Sequence, residues 1–227
     1  MRYPRPVAQL TFQRARTEEN KRQRAAALVE AARSLALESG VASVTLTAVA
    51  NRAGVHYSAV RRYFTSHKEM LLHIAAEGWV RWSDTVCQRL GEPGPMSPAR
   101  VAETLAQGLV ADPLFCDLLA NLHLHLEHEV EVERVLGFKQ ISTAAVMSIV
   151  DAIEQALPGL GRNGALDTLL AAYSLAAPLW QLAHPPKGVT DAYADEAAIP
   201  PDWNVDFAPA LTRLVTATCV GLLDQAD

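Results

Sequence analysis

The stretch that most constrains the fold is residues 40–64, where two short helical patterns meet at a tight turn. Gly40 precedes the first pattern, Thr45 is placed to cap it, and Gly54 is placed to end it. The second pattern runs from about His56 to Tyr63 or Phe64. Two helices can cross closely only where small residues separate them, and the turn supplies Ala50, Ala53 and Gly54. The spacing therefore predicts a shared core of Leu46, Val49, Val55 and Val60.

Burial of that core would turn the polar side chains of the second short helix outward. The outward set is His56, Tyr57, Ser58, Arg61 and Arg62. In a helix-turn-helix, the second helix enters the major groove of DNA by its amino-terminal end, and arginines one turn later reach guanine or phosphate. The alternative is a solvated surface helix whose adjacent arginines have no partner. The pattern alone leaves both interpretations open.

The rest of the chain also has a helical pattern. Thr17 is expected to cap a first helix that ends at Gly40, and Thr65 or Ser66 a long fourth helix that ends before "GEPGPMSP" at 91–98. Further helices are predicted at about 98–110 and 113–121, from 122 or later to 157, and at 165–183 and 207–224, with a long loop at 184–206. No convincing β alternation occurs, so the predicted fold class is all-α.

Charge is distributed unevenly along this chain of 227 residues and net charge −5. Residues 1–75 carry 12 Lys and Arg against 5 Asp and Glu, whereas the remainder carries 8 against 20. A basic first third on an acidic body suggests a polyanionic partner for that third. Three widely spaced cysteines, Cys87, Cys116 and Cys219, argue for reduced thiols in the cytoplasm. The start lacks the apolar run of a signal peptide, and no membrane span is expected.

Residues 22–72 resemble the DNA-binding domain of TetR-family transcriptional regulators. The residues that carry the resemblance are Thr45, Val49, Ala50, Ala53, Gly54, Val55, Tyr63 and Phe64, within "TLTAVANRAGVHYSAVRRYF". The chain departs from the family at Arg61, where a Tyr is usual, and at Ser58 and Ala59, where a small residue and then Thr are frequent. His67 stands where a Lys commonly opens the fourth helix, and Ala48 removes the usual capping box of the second. A base preference therefore does not transfer to this chain.

The resemblance implies an amino-terminal three-helix reader followed by a larger helical domain for ligand binding and dimerisation. The expected divisions are a flexible arm at 1–16, the reader at 17–65 and the body at 66–227. The expected function is a dimeric repressor, without a cofactor, that a small-molecule effector releases from a palindromic operator. The expected dimer contact is made by the last two long helices. The expected DNA contacts are Thr45, Thr47, His56, Tyr57, Ser58, Ala59, Arg61, Arg62, Tyr63, His67 and Lys68.

Effector contacts in the body are expected among aromatic and polar residues of the central helices. The candidates are Trp79, Trp82, Phe115, His123, Phe138, Tyr173 and Trp180. Each is also explained by burial in an ordinary core, because aromatic residues dominate cores.

Two motifs in the body point elsewhere. The segment "NLHLHLEHEVEVE" contains His123, His125 and His128, and a helical metal-dependent enzyme using it is the alternative function. Its histidines do not fall on one helical face, and neither common zinc-helix signature is complete, so no metal is expected. "GLGRNG" at 159–164 spells a dinucleotide-binding pattern, but it follows a helix rather than a strand and is expected to be a turn between helices.

Overall fold

The structure is a computed structural model. It describes residues 7–94, 96–185, 188 and 205–225, with 7–18, 123 and 124 described in their backbone alone. The chain divides into two compact units, Met1–Leu71 and Leu72–Asp227. The boundary expected from the sequence, between residues 65 and 66, lies six residues earlier, at the start of a helix that continues from the first unit into the second.

Nine helices account for most of the described chain, which contains no strand, so the all-α fold class is confirmed. In chain order they are α1 Val7–Ser39, α2 Leu46–Arg52, α3 Tyr57–Val60, α4 His67–Leu90, α5 Pro98–Val110, α6 Pro113–Asn121, α7 Val132–Ala156, α8 Gly161–Ala183 and α9 Phe207–Asp224. Short 3₁₀ turns at Val41–Ser43 and Pro158–Leu160 and a π-helical turn at Leu122–Leu126 join some of them.

Helix α1 begins ten residues before the start predicted at Thr17. The prediction was wrong because "VAQLTFQRAR" contains neither glycine nor proline and is rich in residues that tolerate a helix, so nothing stops helix at Thr17. Residues 7–16, expected to be an arm, therefore have helical backbone; residues 1–6 of that expected arm lie outside the described residues.

Polar caps fix the starts of α5 and α6, the two helices that follow α4. The Ser97 hydroxyl accepts from the Arg100 amide at 3.3 Å, and the Asp112 carboxylate accepts from the Phe115 amide at 3.1 Å. In both helices a proline follows the cap, where its missing N–H costs nothing. Arg81 of α4 also donates to Asp112, with Nη2 at 2.6 Å, and so ties α4 to the start of α6.

The connection between α7 and α8 explains the glycines of "GLGRNG". It follows helix α7 and consists of the 3₁₀ turn Pro158–Leu160, after which α8 starts at Gly161. The expected turn between helices is therefore confirmed. The start of α8 predicted at Ala165 was wrong by four residues, because Gly161 and Gly164 did not keep the first turn from forming.

Each unit has its own apolar core. In the first unit α2 packs against α1 and α3. In the second unit α9 packs on α5 and α8, and α8 also packs on α6 and α7. Among the described residues of the second unit, no charged side chain is buried.

Two helices of the second unit, α7 and α9, are long and apolar enough to cross a membrane by length and composition. Core helices of soluble proteins have the same properties. The share of the apolar window that is buried within this chain is 33% in α7 and 28% in α9. The loop predicted at 184–206 lies almost entirely outside the described residues.

Candidate nucleic-acid interface

Helix α2 has a defined start and a defined end. The Thr45 hydroxyl accepts from the Ala48 amide at 3.1 Å, which confirms Thr45 as the cap. At the other end the Gly54 amide donates to the Asn51 carbonyl at 3.2 Å, and the Val55 amide donates to the Ala50 carbonyl at 3.0 Å. This pair of bonds is a Schellman motif, and it needs a residue with positive φ at Gly54, where φ is 65°. The tight turn predicted after α2 is therefore present.

Helix α3 is shorter than the sequence suggests. It begins after His56, whose Nδ1 accepts from the Ser58 amide at 3.2 Å, and its last helical residue is Val60. The end predicted near Tyr63 or Phe64 was wrong. Both of those residues donate their amides to the Val60 carbonyl, at 2.9 and 3.1 Å, so the chain closes into a turn after one helical turn. That turn returns the Phe64 side chain to the core, where it is 9% exposed.

Three of the four residues predicted to form the shared core are buried. Leu46, Val49 and Val60 are 8%, 0% and 0% exposed, whereas Val55 is 40% exposed. The prediction for Val55 was wrong because the residue lies in the turn itself, beyond the last helical residue of α2, where its backbone rather than its side chain holds the structure. The turn therefore depends on glycine geometry more than on an apolar contact.

The residues predicted to contact DNA all have exposed or half-buried side chains in the first unit. Thr45, Thr47, His56, Tyr57, Ser58, Arg61 and Arg62 are exposed, and Ala59, Tyr63, His67 and Lys68 are half-buried. The polar side chains around α3 and the start of α2 thus lie outside the core that holds those helices. A basic and aromatic surface of this kind offers donors to phosphates and rings to bases.

Hydrogen bonds hold the turn between α3 and α4, and one of their partners, Glu69, was not predicted from the sequence. The cap predicted at Thr65 or Ser66 is Ser66. Arg61 donates through Nη1 to the Thr65 carbonyl. The Thr65 amide and hydroxyl donate to Glu69 Oε2 at 2.8 and 3.1 Å, and the Ser66 hydroxyl accepts from the Glu69 amide at 3.3 Å. The signal was present, since Ser66 and Glu69 have the spacing of a capping box. Glu69 is only 6% exposed, and its buried carboxylate fixes the chain just before α4 by accepting both hydrogen bonds from Thr65.

Charge on this surface is not uniform. Arg52 at the end of α2 binds both carboxylate oxygens of Glu38 in α1, with Nη1 to Oε1 at 2.6 Å, and this bond lowers the pKa of Glu38. Burial, and secondarily the Lys68 ammonium, lowers the pKa of His67, so at neutral pH that imidazole is uncharged. The cations left at the outer surface of α3 are Arg61 and Arg62.

The candidate effector residues fall into separate places. Trp79, Trp82, Phe115 and Tyr173 form one aromatic cluster in the second unit. Trp180 packs instead on His184 and Phe207, and its indole nitrogen donates to Asp117 at 3.0 Å. Phe138 is buried on α7, and the side chain of His123 lies outside the described residues. The set predicted from sequence is therefore not a single site.

The histidine-rich segment is used structurally. Its first part is the π-helical turn Leu122–Leu126, and Glu127 pairs with Lys139 of α7 at 2.6 Å. The His125 and His128 side chains are exposed. Within the described side chains no three histidines, cysteines or carboxylates lie together in a way that could hold a metal ion.

Comparison with known proteins covers nearly the whole chain. Residues 28–74 match the profile described as "Bacterial regulatory proteins, tetR family", and residues 76–226 match "Tetracyclin repressor-like, C-terminal domain". No curated protein sequence matches. The alternative of a metal-dependent enzyme is not supported.

Solved structures with the same fold are distant in sequence. A transcriptional regulator of the TetR/AcrR family from Thermobifida fusca YX-ER1 is 16% identical, with a TM-score of 0.52 over 86% of this chain and 97% of that chain. A protein described as "a possible TetR family transcriptional regulator" from Streptomyces coelicolor A3(2) is 21% identical, with a TM-score of 0.53 over 88% and 97%. At this identity the similarity shows the fold alone.

Proposed function

Because this chain belongs to the TetR family of bacterial regulatory proteins, we propose that it is a dimeric repressor released from a palindromic operator by a small molecule. That it is a DNA-binding transcriptional regulator follows from the family. The observation that carries the proposal is the division of the helix-turn-helix into two faces. Leu46, Val49 and Val60 are buried, and the polar residues of α3 are exposed.

The assignment of roles follows from where α3 begins. The amino-terminal end of a recognition helix points at base edges, so we assign base contacts to His56, Tyr57 and Ser58. Arg61 and Arg62 follow one turn later and reach guanine or phosphate, and Thr45, Thr47, Ala59, Tyr63, His67 and Lys68 flank them. We assign the reader to residues 17–65 and the body to 66–227.

Dimerisation through α8 and α9 is supported by the surface that these packed helices leave uncovered. Leu166 and Leu170 on α8 are 42% and 45% exposed, and Leu214 and Val220 on α9 are 44% and 42% exposed. Burial of such exposed apolar side chains against a second copy of the chain would stabilise a dimer. In a twofold interface the same patch is buried on both subunits. Two readers held by one dimer can meet half-sites about 34 Å apart.

Release by an effector requires a helix that both units share. Helix α4 has its capped start in the first unit and Trp79 and Trp82 in the second. A ligand that binds the body of one dimer conformation more tightly than the other shifts the population toward that conformation. In this proposal the favoured conformation spaces the readers wrongly for the operator. The three cysteines are free thiols, consistent with work in the cytoplasm.

The test starts by selecting an operator from random duplexes with the purified full-length protein. Tyr57→Ala and Arg62→Ala are each expected to weaken binding to that operator by more than tenfold, from loss of a base or phosphate contact. Arg62→Ala should also make the slope of log affinity against log salt shallower by about 1 for each lost phosphate contact. These two variants are cleaner than Arg61→Ala, since Arg61 also holds the Thr65 carbonyl.

Arg89→Ala is the control, because Arg89 is an exposed arginine of the second unit near the end of α4. It should bind the operator as the wild type does. Unchanged operator affinity in both reader variants would refute the assignment of α3 as the recognition helix.

A further inference from the structure

Four aromatic rings from three helices meet in the second unit and form what we name the aromatic cluster, Trp79, Trp82, Phe115 and Tyr173. The Trp79 ring is at its centre, 5.4 Å from Trp82, 5.5 Å from Phe115 and 5.6 Å from Tyr173, between ring centroids. The last two contacts are edge-to-face. Trp79, Trp82 and Phe115 are 4% exposed or less, whereas Tyr173 is half-buried. The cluster therefore meets the surface at Tyr173.

The two indoles of the cluster differ in one respect. The Trp82 N–H donates to the Leu105 carbonyl at 3.1 Å. The Trp79 N–H is fully buried and has no hydrogen-bond partner among the described residues. Buried donors are nearly always paired in native proteins, because an unpaired one loses its bond to water and gains nothing. A phenylalanine ring would fill an apolar centre without that loss, so the unpaired donor indicates an acceptor that the described residues do not supply.

Two glycines close the cluster on its other sides. A Cβ at Gly78 would lie 2.3 Å from the Phe115 ring, and a Cβ at Gly108 would lie 2.7 Å from the Trp82 ring. The Phe115 and Trp82 rings therefore pack directly on the helix backbone at Gly78 and Gly108, and neither ring can move further toward that backbone. Tyr173 is the remaining member and is half-buried, so a guest would have to displace its ring to reach Trp79.

The surroundings select an uncharged guest. No charged side chain is buried in the described part of the second unit, and a charge placed there would lose its hydration without a partner. Rings in edge-to-face contact favour a planar aromatic ligand, because its ring can replace one of these contacts or add another. The donor at the centre favours a carbonyl or ether oxygen on that body.

We propose that the aromatic cluster binds a planar, uncharged aromatic ligand and that Trp79 recognises it by donating its indole N–H to a carbonyl or ether oxygen. The proposal rests on the proposed function in taking this ligand to be the effector, and it names the chemical class of that effector. Trp82, which is already bonded to Leu105, contributes ring contacts alone.

The experiment compares two probes of similar size, 2-acetylnaphthalene and 2-isopropenylnaphthalene, which differ in a C=O against a C=CH₂ group. Binding to full-length wild-type protein is measured by titration, and the ¹⁵N-labelled indole resonances are followed by NMR. The Trp79 resonance is identified by its absence in Trp79→Phe. The ketone is expected to bind about two to twelve times more tightly than the hydrocarbon, the range for one net hydrogen bond, and to move the Trp79 N–H resonance downfield.

The variants separate the hydrogen bond from the packing. Trp79→Phe should lose the preference for the ketone, and the matched variant Trp82→Phe should keep it. Equal binding of the two probes to the wild type, binding of neither, or a preference that survives in Trp79→Phe overturns the proposal. If Trp79→Phe does not fold, Trp82→Phe, Trp180→Phe and Trp203→Phe assign the other three indole resonances and so identify that of Trp79. The wild-type preference and the Trp79 shift then decide the question.

Operator binding is measured on the same wild-type preparation, with and without the ketone. Protein that binds its operator but shows no preference between probes refutes the recognition by Trp79 and leaves the proposed function intact. Protein that prefers the ketone but selects no operator refutes the proposed function and leaves the binding site standing. An operator affinity that the bound ketone does not change refutes the identification of this ligand class with the effector.

Discussion

His56 and Arg61 each use part of their side chain within the protein before any DNA is bound. His56 accepts from the Ser58 amide through Nδ1 and so has Nε2 left for a base or phosphate. Arg61 donates one of its five N–H groups to the Thr65 carbonyl, which leaves four for DNA. These local bonds reduce the rotamer freedom that DNA binding would otherwise have to remove. Because these two side chains are already ordered in the free protein, DNA binding costs less side-chain conformational entropy.

At the same scale, the three cysteines are expected to differ in reactivity. Burial raises the pKa of the Cys116 thiol far above its usual range, and it also raises the pKa of the Cys219 thiol. Since the thiolate is the reactive form, both thiols should resist DTNB at pH 8 in native protein. Cys87 is half-buried and should react first.

The measurement is the number of thiols released per chain in native and in urea-unfolded protein. About one native thiol and three unfolded ones are expected, from the burial of two. Cys87→Ser should abolish the native signal. Rapid native labelling that persists in Cys87→Ser would show that the cores around Cys116 or Cys219 open easily.

At the scale of elements, the glycine after α2 and the glycine inside α7 have opposite effects on stability. Gly54→Ala forces a Cβ into a left-handed conformation, with φ of 65°, and should lower the free energy of unfolding by about 1–2 kcal/mol. Gly137 has ordinary helical geometry and open space around its Cα, so Gly137→Ala should raise that free energy by about 0.5–1 kcal/mol. Urea unfolding of both variants measures the two changes. A Gly54→Ala protein as stable as the wild type would contradict the Schellman turn.

How far the elements could be predicted depends on where their ends are encoded. Thr45, Ser97 and Asp112 start their helices where the sequence predicted, because a cap is a local interaction between a side chain and an amide three residues away. The end of α3 and the start of α1 were predicted wrongly, since α3 ends where Phe64 must return to a core that includes distant residues, and α1 extends without a stop signal.

The candidate sites show the same division. The outward residues around α3 could be predicted because they lie within one short motif. The aromatic cluster could not, because its rings come from α4, α6 and α8 and meet through packing that no local pattern records. The prediction that Val55 is buried was wrong for a related reason, since the exposure of its side chain depends on which side of the turn faces the rest of the unit.

At the scale of the whole molecule, the basic charge is concentrated in the first third of the chain and the acidic charge in the rest. The acidic body is repelled by DNA and the basic reader is attracted, so the electrostatic field favours encounters that bring the reader to the duplex first. A dimer doubles both effects. We therefore expect strong dependence of operator association on salt even though the protein is acidic overall.

The dimer itself can be tested on the exposed leucines of α8 and α9. Leu170→Asp and Leu214→Asp each place a charge on the surface proposed to be buried between two copies, at positions 45% and 44% exposed in one chain. Both should shift sedimentation toward the monomer and weaken operator binding, because a buried unpaired charge opposes association. Leu37→Asp is the control on α1, at a leucine that is 61% exposed. Dimers that persist in both body variants would place the interface elsewhere.

The crowding of Trp79 against Trp82 has an optical consequence. Two indoles 5.4 Å apart with their planes inclined at 53° have electronic transitions that couple, and coupled transitions produce a pair of circular dichroism bands of opposite sign. The size of such a couplet depends on the distance and angle between the rings. A guest that separates or rotates them would change the couplet without any label, so the chain carries an internal spectroscopic reporter of its own core.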